Sequence, residues 1–107
     1  MSVAPKSQIL KLADMVSYQE GSVVSRQITK ADAGNVTLFA FDEGQELSEH
    51  TAPYDALLHL LDGQAEIRIS GQPYDLNAGE AIILPANAPH AVKAKMKFKM
   101  LLTMIRS

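Results

Sequence analysis

His50 and His90 are the residues of this chain best suited to chemistry, because an imidazole can ligate a metal, move a proton or hold a polar ligand near neutral pH. His50 lies in the stretch SEHTAPYDALLHLLDG, beside Glu49, with Asp55 and His59 further along and Gly63 closing the run. A histidine, nearby acids and a glycine turn are ingredients of a metal site. Absence of cysteine excludes disulfide stapling, thiolate catalysis and cysteine-bound zinc or iron–sulfur clusters.

These residues must be positioned by a small frame. The 107 residues make one domain spanning 1–107, with residues 1–20 expected as a segment packing on it. Hydrophobic residues form 47% of the chain and charged ones 21%, an ordinary globular balance. The net charge of -2 provides no basic field to attract nucleic acid. The opening MSVAPKSQILKLADMV has no apolar run of membrane or signal length, so a soluble, cytoplasmic protein is expected. Charge is uneven along the chain. Eight acids and no base lie between Lys30 and Arg68, whereas Lys93, Lys95, Lys97, Lys99 and Arg106 have no acid among them. The two runs are expected to form solvated surfaces of opposite sign; a sharper reading makes the acidic run a rim that repels anions.

After residue 20 the pattern has period two, broken by turn residues, which predicts strands. Val36, Leu38 and Ala40 alternate with Thr37, Phe39 and Phe41. Ala65, Ile67 and Ile69 alternate with Glu66, Arg68 and Ser70, giving one apolar face and one wet face. Ser70-Gly71-Gln72 predicts a hairpin turn, and Asn77-Ala78-Gly79-Glu80 a second turn before a short buried strand, Ala81-Ile82-Ile83-Leu84. The clearest strand has Lys93, Lys95, Lys97 and Lys99 outward, with Ala94, Met96, Phe98 and Met100 toward a core. Only residues 8–16 read as helix or turn. Many short strands at intervals of about ten residues specify an all-β sandwich or barrel.

Two segments carry a resemblance. Gly44 is followed after five residues by His50, and Gly63 closes that segment; Gly79 is followed after five residues by Pro85, and after four more by His90. This spacing resembles the two signature motifs of the cupins, small double-stranded β-helix barrels of the jelly-roll kind, over a motif-bearing core of residues 36–102. In metal-binding cupins the first motif supplies two histidines and a glutamate, and the second supplies a third histidine. The resemblance puts His50 and His90 at two of those four positions and Ala52 and Ala56 at the others. Asn87 stands at a family glycine position and Ala94 at a family asparagine.

For function, the resemblance and these replacements imply a barrel with a degenerate metal site. Three uses compete: a small-molecule binding barrel; a metal-dependent enzyme of the oxygenase, isomerase or epimerase kind that the resemblance implies; and an interaction module with a filled cavity. The first is preferred, with His50, His90, Tyr54, Asp55, Met96 and Met100 as candidate ligand-binding residues. A neutral or cationic ligand is expected if the acidic run 42–49 rims the mouth. No cofactor is expected to bind tightly. A divalent transition metal would bind weakly through His50 and His90, which otherwise serve as polar cavity residues. His59 is expected to face away from the cavity, on an outer apolar surface with Leu57, Leu61 and the terminal LLTMI that pairs two chains as a homodimer. Neither nucleic acid nor membrane is an expected partner.

Overall fold

The alternating runs become eight strands in the computed structural model, which describes residues 3–106. They are β1 (Val23–Ala31), β2 (Gly34–Phe41), β3 (Glu46–His50), β4 (Asp55–Ile69), β5 (Gln72–Asn77), β6 (Ala81–Leu84), β7 (His90–Lys93) and β8 (Phe98–Ile105). A single 3-10 turn, Leu12–Asp14, lies within the stretch expected to be helical or turn-like. Every strand pairing is antiparallel, and the pairs give two sheets, ordered β1-β2-β8-β4-β6 and β3-β7-β4-β5.

β4 belongs to both sheets and closes the barrel. Residues 55–63 pair with β8, and residues 64–69 pair with β5. The strand turns from one sheet to the other at Gly63, whose φ of +80° is in the left-handed region. A side chain there would put its Cβ 2.1 Å from the carbonyl oxygen of Lys97. The fold is thus all-β, a curled antiparallel barrel of the double-stranded β-helix kind.

The barrel interior is filled toward one end. Phe41 and Phe98 stack with ring centroids 4.5 Å apart, and Leu58, Leu60, Ile67 and Met100 are fully buried around them. Each such side chain stabilises the fold by roughly 1.5–3 kcal/mol relative to exposure. A second cluster lies outside the barrel, where Ala4 and Val16 of the N-terminal segment pack on Ile28, Leu38 and Ala40. The Ala4 N–H donates to the Ile28 carbonyl, and the Tyr18 hydroxyl donates to Asp62. Burial first, and the Asp62 carboxylate second, push the Tyr18 phenol well above its ordinary range.

Four local expectations change. The lysine-alternating run is not one strand: β7 lies in one sheet and β8 in the other, and the chain crosses between them through residues 94–97. Ala94 is pinned in that crossing by bonds with Gly44 and Gln45. Met96 therefore points outward, 46% exposed. β6 is not a buried strand, because it is the sheet's edge and only Leu84 is buried while Ile83 is 60% exposed. Glu66, expected on the wet face, is only 8% exposed because Lys95 and Arg68 close over it.

Candidate functional site

β3 ends and β7 begins at the same end of the barrel, and the ladder makes His50 and His90 direct partners. Each ring is oriented by its own chain. His50 Nδ1 lies 2.8 Å from the Ser48 carbonyl oxygen and His90 Nδ1 lies 3.2 Å from that of Ala88, so both Nδ1 atoms carry a proton and donate it. The same contact, to the carbonyl two residues back, fixes both tautomers. In a neutral ring this leaves Nε2 as an acceptor, and the two Nε2 atoms face each other at 3.1 Å. Two lone pairs at that distance repel unless a proton, a cation or a donating ligand lies between them. His90 is buried and His50 is exposed. Burial first, opposed by the Ala88 carbonyl and reinforced by His50, holds the His90 imidazole below the ordinary histidine range.

The second motif builds this mouth through the backbone. Asn87 adopts φ +65°, the left-handed conformation its family glycine position demands, and its N–H donates to the Ala52 carbonyl. Asp55 is not a cavity residue. It is an exposed acid whose Oδ1 accepts the Ala86 N–H at 2.8 Å, tying the loop before β7 to the start of β4. The Tyr54 ring lies half-buried under the Arg106 guanidinium, 5.7 Å from its centroid. Met100, at 1% exposure, is packed core with no surface for a ligand, and Met96 is on the crossing beyond β7, at the opposite end from His90. Of the six candidate ligand-binding residues, the structure brings together only the two histidines. His59 faces outward, opposite Ala81 and Leu101, as its spacing implied.

The acidic run does not rim the mouth as a unit. Asp42 and Glu43 sit beside Gly63, Met96 and Lys97, and the Gly44 N–H donates to the Ala94 carbonyl, so the run starts at the far end and reaches the mouth only at Glu49. Two orienting groups had no signal in the sequence: the carbonyls of Ser48 and Ala88, which any residue could supply.

A metal's fit can be tested on these atoms. With metal–nitrogen bonds of roughly 2.0–2.1 Å, a 3.1 Å separation subtends about 100° at one ion, suiting two adjacent coordination positions. The rest of the shell has no protein donor at the family positions, since Ala56 is a buried methyl and Ala52 offers its carbonyl to Asn87. Among the described residues no group of three or more His, Cys, Asp or Glu comes together. The donor set does not fit a firmly held ion.

Comparison with known proteins agrees with the fold. The chain is similar to a conserved protein of unknown function from Streptococcus pyogenes, at 33% identity and a TM-score of 0.91, over 100% of this chain and 96% of that one. A cupin superfamily protein from Desulfitobacterium hafniense matches at 30% identity and 0.91, over 99% and 97%. A cupin 2 conserved barrel domain protein from Leptotrichia buccalis matches at 40% identity and 0.88, over 91% of this chain but 47% of its own, so the chain spans about half that protein. No curated protein sequence matches. The family model of the cupin domain matches residues 37–105, nearly the whole run from β2 to β8. With that match and those identities, the chain belongs to the cupin family.

Proposed function

We propose that this cupin binds a small molecule at the barrel mouth, gripping a hydrogen-bond donor or a cation between the two histidines. The observation that supports it is the facing pair of Nε2 acceptors, each locked in its tautomer by a backbone carbonyl. A neutral or cationic donor seated over the pair, within hydrogen-bond reach of both nitrogens, replaces a lone-pair repulsion with two hydrogen bonds. The filled interior below the pair favours a ligand held at the mouth over one swallowed by the barrel. Transition metals compete for the same two nitrogens, but with no carboxylate to offset the charge the ion is held weakly. The enzyme reading needs a resident ion and is second.

The test is elemental analysis after gel filtration, then Zn2+ and methylammonium titrations watched by the imidazole 15N signals. Protein purified without added metal carries far less than one ion per chain. Both probes shift the Nε2 signals, Zn2+ binds with affinity that falls as pH drops through the histidine range, and His50→Ala abolishes both responses. One iron or manganese per chain, retained through chelator treatment, would put the enzyme first.

A homodimer is part of the same proposal, with a revised surface. The N-terminal segment covers Leu61 and Leu101, whereas Leu57, Ile83 and Ile105 stay 40%, 60% and 59% exposed beside the free edge of β6. Leu57 and Ile83 are direct ladder partners there, and His59 flanks them. Sedimentation showing only the 11.6 kDa species at micromolar concentration would refute the dimer.

A further inference from the structure

The histidine pair lies on one sheet of the barrel, and the inner face of the other sheet can be read off its ladder. Asn35 on β2 is the partner of Met104 on β8, and Met104 is the partner of Ala56 on β4. Thr37, Leu102 and Leu58 form the next row. Ladder partners show their side chains on one face of a sheet. Ala56, Leu58, Leu102 and Met104 all belong to the barrel-interior cluster, whereas Val36, between the two polar residues, packs outside with the N-terminal segment. Asn35 and Thr37 therefore point into the barrel. They do so at the mouth, because Ala56 follows Asp55, whose carboxylate holds the loop that runs into His90.

Polar side chains on an inner face need partners, and here part of that demand is open. The Thr37 hydroxyl donates to Asn35 Oδ1 at 3.2 Å. That uses the hydroxyl proton and leaves the Thr37 lone pairs, while the Asn35 Nδ2 hydrogens bond nothing among the described residues. A donor and an acceptor thus sit side by side on an inward wall. Solvent reaches them: Asn35, Thr37, Leu102 and Met104 are half-buried, whereas Leu60 and Met100 in the row below are fully buried. Lys30, the partner of Asn35 on β1, is exposed at the rim of the same face and repels a cation there.

We propose that Asn35 and Thr37 are the second half of the mouth site, and that its ligand is a small amino alcohol. The ammonium sits on the histidine pair and the hydroxyl on Asn35 and Thr37, so the proposal rests on the ligand-binding reading above. A hydroxyl matches this wall because its oxygen accepts from Asn35 Nδ2 and its proton goes to Thr37 Oγ1. A carboxylate has no proton for Thr37 and meets its lone pairs. Lys30 sets the direction, since it disfavours the reversed molecule. Facing sheets stack roughly 10 Å apart, so side chains from both leave room for only a short carbon chain between the two ligand groups.

The experiment titrates the full chain with 2-aminoethanol, 3-aminopropanol and 4-aminobutanol, each against the alkylamine of equal carbon number. The imidazole 15N signals and the Asn35 side-chain amide report binding. At least one amino alcohol should bind about fivefold tighter than its alkylamine and move the Asn35 amide, the gain expected of an added hydrogen bond. Thr37→Val exchanges the hydroxyl for a methyl of the same shape, and should remove that gain while leaving alkylamine binding unchanged. Asn35→Leu should do the same. No gain from any amino alcohol, a gain kept by both variants, or tighter binding of 3-aminopropionate than of 3-aminopropanol would each overturn the proposal. In those cases the alkylamines still shift the imidazole signals and the histidine reading stands. Silence of the imidazoles toward every amine removes the mouth site, and this proposal with it.

Discussion

The two ends of the barrel are built from the same strands and do different work. At one end Phe41 and Phe98 stack at 4.5 Å, in a cluster whose members satisfy each other by contact alone. At the other, the strand ends present small residues, Ala52 and Ala56, and two imidazoles whose acceptor atoms oppose each other at 3.1 Å. The aromatic end is satisfied by contact, whereas the histidine end needs a shared proton, a cation or a donor to join its two nitrogens. Packing stability resides in the first, the binding proposed above would reside in the second, and β4 runs through both.

The largest effect should come from breaking the aromatic end. Phe98→Ala removes a fully buried ring and its stacking partner's contact, and should cost about 3–5 kcal/mol in urea unfolding. The imidazole 15N signals of the surviving folded protein should keep their tautomers. A Phe98→Ala protein of undiminished stability would mean that the two ends do not divide the work in this way.

A smaller effect sharpens the comparison from the mouth. Ala56→Glu places a carboxylate where the family has one, at a position only 6% exposed. Without metal it should cost about 1–3 kcal/mol, the desolvation of a poorly paired polar group. With Zn2+ it should raise affinity about tenfold or more over the parent chain, measured by calorimetric titration. No gain in affinity would show that position 56 does not look onto the pair.

The smallest effect is in pH. His90 has a folded-state affinity for protons below the ordinary value of 6.5 because it is buried. The unfolded chain therefore binds more protons just below that pH, so stability should fall as pH drops from 6.5 toward the lowered folded value and be flat above it. His90→Gln should flatten that slope in urea midpoints measured between about pH 5 and about pH 7, the range that brackets histidine titration. An unchanged slope would assign the acid sensitivity to another group.

Much of the frame is legible in the residues. The Ser70-Gly71 hairpin, the turn at Asn77–Glu80, the strand from Val36 to Phe41 and the outward His59 all come from period two and turn chemistry, which are local. Alternation fails where it is carried across a change of sheet. It places Met96 inward, because the run from Lys93 to Met100 alternates without a break, yet the chain leaves one sheet and joins another within it. Motif spacing puts Asp55 among the candidate ligand residues, but its carboxylate serves a backbone N–H 31 residues away.

The sequence by itself determined that this is a cysteine-free antiparallel barrel with cupin spacing, two histidines and alanines at the other two ligand positions, because those are matters of residue type and interval. Only the tertiary structure decided that the two imidazoles meet through their Nε2 atoms and that Glu66 is buried under two cations. Each depends on which strands become neighbours and on where backbone carbonyls point. No residue type encodes either, because both arise only when distant segments close a ladder together.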